Sequence, residues 1–345
     1  MSRLQRLAGR LEEPLLVTGL VNVRYLTGLD SSNAAVLVEH HRATLYADFR
    51  YAEAARALEG VEFVETPRHV VGALASLLSG RRVAFEAEHL SYAGYQTLTA
   101  GGVELVPSRG AVERLRAVKE PGEIDAIRAA AALSDDVFGE LAEQPFVGRT
   151  ERDLAWWTER RFRELGAEAA AFPVIVAAGP NGARPHATPS NRAVEAGTLV
   201  VVDAGCVVDG YRSDCTRTYA TGPLPAELEE AYALCLRAQL DGLAAVRPGA
   251  AARDVDAASR TAIEEAGLGS SYGHGLGHGV GLAVHEEPVL RPESADVLEP
   301  GNVVTVEPGI YLSGRAGVRI EDLVLVTGSG CERLTRVPKE LVTVE

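Results

Sequence analysis

Lysine is almost missing: Lys119 and Lys339 are the only two in 345 residues, and every other basic side chain is arginine. With the alanine richness, this reads as compositional bias, not as function. Basic charge is short altogether, with 34 lysines and arginines against 48 acids and a net charge of −14. Binding to nucleic acid needs a basic face to meet phosphate, so that class of partner is disfavoured. Cysteine is scarce too. The four cysteines (206, 215, 235 and 331) form no Cys-x-x-Cys pair. That is the pattern of reduced, buried thiols in a cytoplasmic protein, and it argues against a disulfide scaffold. No run of about 18 apolar residues is present to span a bilayer. Met1–Glu13 is arginine-rich and amphipathic with no apolar segment behind it, so no secretory leader is expected. Internal repeats and low-complexity tracts are absent as well.

What is present is an ordinary globular composition, 46% hydrophobic and 24% charged, in a chain long enough for two domains. Through the first third, short apolar runs alternate with helical patterns. Strands are expected at residues 15–18, 34–39, 43–47, 61–65, 82–86 and 103–106, and helices at 51–58, 70–78 and 92–98. This predicts an α/β layer domain over residues 1–115. Pro121-Gly122 marks a break near a domain join. Beyond it, Thr150-Glu-Arg-Asp153 has the pattern of a helix start. Residues 225–246 and 252–266 read as long helices. Strand patterns at 172–177, 199–206, 211–221, 302–307 and 318–326 complete an α+β domain over residues 116–345, with a mainly antiparallel sheet.

Glycine is concentrated where histidine is. From Gly273 to Gly281 every second residue is glycine, and His274, His278 and His285 fall in or just after this stretch. So much glycine weakens a helix or a strand; its use is close approach of the backbone to a ligand, a metal or a neighbouring strand.

The acids that could join these histidines end apolar strands. Asp203 closes Leu199-Val-Val-Val, Glu307 closes Val303-Val-Thr-Val, and Glu321 follows Gly317-Val-Arg-Ile. Asp209-Gly210 is a hairpin signal, and a two-residue loop there sets Asp203 opposite Thr216. Asp214, two residues along the same strand, then faces the same side at the diagonal distance, unless a bulge shifts the register. A carboxylate at the end of a buried strand is costly unless paired or metal-bound. Four acids gathered together would repel, and some would have to take up protons. Two divalent ions would neutralise them and complete a hydrolytic centre. Oxygen-rich ligation with one imidazole suits Mn2+ before Zn2+, and Co2+ could substitute.

The ordered set Asp203-Ala-Gly, Ser213-Asp-Cys-Thr-Arg-Thr, His278-Gly-Val-Gly-Leu-Ala-Val-His285-Glu-Glu-Pro, Val306-Glu-Pro-Gly-Ile-Tyr311 and Arg319-Ile-Glu-Asp322 resembles the pita-bread metallopeptidases. These are the Xaa-Pro aminopeptidases, the prolidases and, more distantly, the methionine aminopeptidases. Asn22-Val-Arg-Tyr-Leu-Thr-Gly28 and Ala47-Asp-Phe-Arg50-Tyr51 resemble, more weakly, the creatinase-type amino-terminal domain of the same proteins.

The resemblance implies a pita-bread catalytic domain and a dinuclear centre ligated by Asp203, Asp214, His278, Glu307 and Glu321, with Asp214 and Glu321 bridging. It implies that Glu307 also handles the proton of the attacking water. His285 would donate to the substrate carbonyl, and His186, in Ala178-Gly-Pro-Asn-Gly-Ala-Arg-Pro-His186, matches an upstream active-site histidine. His274 matches a substrate-side histidine; its other reading is a spacer in the glycine turn. Arg319 shares a strand face with Glu321, where it could orient that carboxylate or meet substrate. Thr216 and Tyr211 would support the acids, with packing alone as the alternative for Tyr211. Arg50 reads as a structural ion-pair residue, or as an arm reaching a partner's site. The implied reaction is hydrolysis of the bond before proline in proline-containing peptides by a cytoplasmic homodimer. Some prolidases carry an arginine four residues after the catalytic histidine. Here that position is Val289, which favours an Xaa-Pro aminopeptidase over a dipeptidase. Arg291, Arg50 or an arginine from a partner subunit could take the arginine's place, which keeps a prolidase open. A non-catalytic peptide-binding relative is the distant third reading.

Overall fold

The computed structural model describes residues 1–344, and the chain divides into two compact units, residues 1–116 and 117 onward. In the first unit, the hairpin Ala34–Val38 and Ala43–Asp48 forms the middle of a six-stranded mixed sheet. Leu15–Val17 lies antiparallel to Ala34–Val38, and Arg82–Glu86, Glu104–Ser108 and Glu62–Thr66 are added in parallel. The helices Val70–Leu77 and Tyr92–Ala100 supply Leu74 and Leu98 to the core of this sheet. The segment Asn22–Gly28 is helical: Leu20–Thr27 is a helix that Gly28 ends at φ 83°, a conformation open to glycine at little cost. Arg50 makes the structural ion pair, donating from Nε and NH2 to the buried Asp48 at 2.8 and 2.7 Å.

In the second unit, the Pro121-Gly122 break is the start of a helix that runs to Leu141. Pro121–Leu141 begins with proline at its first position, where the missing N–H would have had no partner anyway. This helix and the Thr150-capped Glu151–Glu164 bury Phe138, Leu141, Leu154 and Phe162 against the strand Leu199–Ala204. The strand is flanked by Ile175–Ala178 and Cys215–Ala220. The helices Ala226–Ala245 and Ala252–Glu265 pack on the remaining strands. These form a five-stranded sheet in the order Glu286–Leu290, Gly277–Gly279, Val303–Val306, Asp322–Val326 and Cys331–Arg333, together with the hairpin Gly309–Leu312 and Ala316–Arg319.

Three local decisions place the site. The Asp209-Gly210 turn has both residues at positive φ, 50° and 81°, and pairs Val208 with Tyr211. The same register sets Thr216 opposite Asp203. The apolar run 318–326, which reads as one strand, is two. Ala316–Arg319 pairs with Gly309–Leu312, Asp322–Val326 pairs with Val303–Val306, and Glu321 sits at the break. The glycines of the central stretch serve the neighbouring strands: a Cβ on Gly277 would collide with the Thr305 carbonyl, and one on Gly279 with the Glu287 carbonyl.

Candidate active site and metal centre

Asp203, Asp214 and Glu321 each offer a carboxylate oxygen within 4.8 Å of the other two. Glu307 joins them through His278, whose Nε2 lies 3.1 Å from Glu307 Oε1 and 3.8 Å from Asp214 Oδ2. The Thr305 hydroxyl donates to Glu307 Oε1 at 3.0 Å and accepts from the His278 backbone N–H at 3.1 Å, tying the two strands together at this point. Arg319 is buried and donates to Asp203 Oδ2 at 2.6 Å, so the carboxylate it grips is Asp203 and not its strand neighbour Glu321. Glu321 Oε2 instead accepts from the Thr216 hydroxyl at 2.7 Å. Tyr211 points elsewhere, its hydroxyl donating to Glu123 at 2.8 Å.

Four acids thus share a buried volume with one guanidinium. Burial, and then the charges of Glu321 and Asp203, push the Asp214 carboxyl well above the carboxylate range. Burial, followed by Glu307 and Asp203, does the same to Glu321. Asp203 is raised mainly by burial, against the pull of Arg319. Glu307 goes the other way. Burial works to raise it, but the hydrogen bond and charge of His278 outweigh that and hold it at about 2. Asp203 Oδ1 and Glu321 Oε1 are buried with no hydrogen-bond partner among the described residues. Asp203 and Glu321 therefore each have one oxygen fixed by the protein and one left over. Leftover buried acceptors of this kind are what a divalent ion would satisfy.

Asp203, Asp214 and Glu307 line a cavity of about 560 Å³ together with His186, His274, His278 and His285. The rings of His278 and His285 meet edge to face, with centroids 4.3 Å apart. Burial, then the neighbouring His278, draws the His285 pKa down, which keeps its imidazole neutral at pH 7. His186 is carried by a loop that the buried Glu151 anchors at both ends, accepting from the Ala178 N–H at 2.7 Å and from the Ser190 N–H at 2.8 Å. The cysteines nearest the acids are unsuited to act as nucleophiles. Burial pushes the Cys206 thiol up to about 11 and holds the Cys215 thiol well above the usual thiol range.

Residues 125–328 match the family model for metallopeptidase family M24, and residues 3–118 match the creatinase/prolidase amino-terminal domain. The chain belongs to metallopeptidase family M24. Its fold is therefore the pita-bread catalytic domain preceded by a creatinase-type α/β domain. An Xaa-Pro dipeptidase from Bacillus anthracis superposes with a TM-score of 0.94 at 36% identity, covering 99% of both chains. An X-Pro aminopeptidase from Thermotoga maritima gives 0.89 at 32% identity, over 99% of this chain and 100% of the other. The Xaa-Pro dipeptidase of Pyrococcus furiosus is 33% identical over 328 residues, 93% of each chain.

In this metallopeptidase some supporting residues escaped the sequence reading. Tyr311 accepts from Arg319 at 2.9 Å and meets His274 at 2.9 Å. Both lysines are buried in ion pairs with acids that follow site residues in the chain. Lys119 lies 3.3 Å from Glu286, which follows His285, and Lys339 lies 2.8 Å from Asp322, which follows Glu321. No pattern in a single sequence marks such pairs; they join residues far apart in the chain. Among the described residues, no helix is long and apolar enough to cross a membrane.

Proposed function

We propose that this metallopeptidase hydrolyses the peptide bond preceding proline and takes Xaa-Pro dipeptides in preference to longer peptides. The observation that carries the preference is Arg291. It is an exposed residue on the cavity lining, and it has no carboxylate partner among the described residues. The other guanidinium lining the cavity, Arg319, is already bound to Asp203. An uncompensated cation in a pocket otherwise rich in acids suits the free carboxylate of a dipeptide. Val289 and Arg291 both line the cavity, two positions apart, so an arginine at 291 can serve the side of the pocket that Val289 leaves without one. The relatives named as Xaa-Pro dipeptidases support the same reading. Val289 itself, and the likeness to the Thermotoga enzyme, favour an Xaa-Pro aminopeptidase as the second reading.

Asp203, Asp214, His278, Glu307 and Glu321 would hold two divalent ions, with Mn2+ preferred on the oxygen-rich donor set. Ions held there would supply Lewis acidity and a water of lowered pKa. Neutral His285 donates a hydrogen bond to the carbonyl oxygen as charge develops on it. Glu307, kept ionised, accepts the proton of the attacking water, and His186 lines the same pocket.

The test is a comparison of kcat/KM for Xaa-Pro and Xaa-Pro-Yaa-Zaa after loading with Mn2+, with wild type and Arg291→Ala. The dipeptide should be the better substrate. Losing a hydrogen bond to a charged group should raise its KM about 10- to 100-fold in the variant. Cleavage of the longer peptide alone would overturn the preference.

A further inference from the structure

We propose that His274 is a positioning residue for Asp203, acting through Tyr311 and Arg319, in place of the substrate contact expected from the resemblance. The inference rests on the reading of Asp203 as a metal ligand. His274 Nδ1 lies 2.7 Å from the Gly275 carbonyl oxygen, and a carbonyl only accepts, so Nδ1 carries the proton. Nε2 of the neutral ring is then an acceptor, and the group 2.9 Å from it is the Tyr311 hydroxyl. That hydroxyl oxygen accepts from Arg319 NH1 at 2.9 Å, which leaves its own proton for His274. Arg319 NH2 donates to Asp203 Oδ2 at 2.6 Å. Arg319 Nε donates to Thr216 Oγ1 at 3.1 Å, and that hydroxyl passes its proton to Glu321 Oε2 at 2.7 Å. Every bond has a donor and an acceptor, and none has to be shared.

The His274 ring is also confined by its neighbours, with ring centroids 5.2 Å from Tyr272 and 5.5 Å from Tyr311. With both nitrogens engaged, it offers a peptide neither a donor nor an acceptor. What the chain of bonds does is choose oxygens. Asp203 Oδ2 and Glu321 Oε2 are occupied, and their partners Oδ1 and Oε1 are, among the described residues, the two buried carboxylate oxygens without a hydrogen bond. Without His274, the Tyr311 proton is free to turn toward other acceptors, and the hold of Arg319 on Asp203 loosens.

The test uses His274→Ala, Tyr311→Phe, the double variant and His274→Gln, which keeps one donor and one acceptor. Metal-free protein is titrated calorimetrically with Mn2+. Steady-state kcat and KM for an Xaa-Pro dipeptide are then measured at saturating Mn2+. Groups that orient metal ligands typically cost 10- to 100-fold in affinity when removed. Each single variant is expected to bind one of the two ions about 10- to 100-fold more weakly, with KM within about twofold of wild type. The double variant should be no worse than the poorer single one, and His274→Gln should recover part of the loss. Unchanged Mn2+ affinity with a raised KM in His274→Ala, or independent losses that multiply in the double variant, would overturn the positioning role alone. A wild-type protein that binds no Mn2+ would overturn the metal assignment itself and this inference with it. Tyr311→Phe reads the same chain of bonds should His274→Ala fail to fold.

Discussion

His285 and Asp214 line one cavity yet should respond to substitution in opposite ways. His285 sits on the cavity wall, packed edge to face on His278, and among the described residues makes no ion pair with the acids. His285→Ala should therefore lower kcat by about 10²- to 10³-fold, as removal of a group that stabilises developing charge does, while Mn2+ stoichiometry by elemental analysis stays at the wild-type value. Asp214 is a buried acid whose ionisation is opposed by burial and by its acidic neighbours. A carboxyl raised in this way costs stability wherever the solution pH drives it to ionise, so a neutral amide relieves the metal-free protein at pH 7. Asp214→Asn should raise the melting temperature of the metal-free form by about 2–4 °C per kcal/mol relieved. The same change should abolish the further rise that Mn2+ produces in wild type. A lower melting temperature without metal would contradict the strain assigned to the acid cluster.

At the scale of elements, the strand Gly277–Gly279 carries His278 between two neighbours that press on it from either side. Its register pairs His278 with Val289 and shifts between His278 and Gly279. Gly277 is buried against Thr305, the residue whose hydroxyl links His278 to Glu307. Gly277→Ala should cost about 1–3 kcal/mol in urea denaturation, the usual price of overpacking, and should weaken Mn2+ binding because the strand must move away from Glu307. A variant with full stability and full affinity would mean that the strand has room the packing does not show. The break between Arg319 and Asp322 is the second element that matters. There the chain passes from the hairpin with Gly309–Leu312 to pairing with Val303–Val306, and the same short segment holds Arg319 on Asp203 and sets Glu321 beside Asp214.

Over the whole molecule, the lysine deficit acquires a structural meaning. The side chains of Lys119 and Lys339 are 1% and 9% exposed, each in an ion pair with a buried acid. An amine-acylating reagent should leave both ε-amines unmodified in the native protein and modify both in guanidinium chloride, as read by peptide mass mapping. Rapid acylation of either lysine under native conditions would show that its pair opens. The net charge of −14 has the same two-sided character. Much of the acid surplus is solvated surface, but part of it is the buried cluster, where charge is concentrated at a cost only a cation can repay.

Much of this was legible in the sequence, because it was local. The Asp209-Gly210 turn fixed the hairpin register through backbone geometry alone, and with it the pairing of Asp203 with Thr216. Acids at the ends of apolar strands and histidines among glycines carried the family resemblance, since strand ends and glycine-rich segments are where chemistry-bearing side chains meet backbone at close range. What tertiary structure alone decided was which groups pair. Arg319 turned to Asp203 instead of Glu321, Tyr211 to Glu123, and both nitrogens of His274 inward to Gly275 and Tyr311. Alternation along a strand says which face a side chain occupies; it cannot say which of several partners on that face lies within 3 Å. That choice depends on how the sheets pack, and packing is settled by residues distant in the chain.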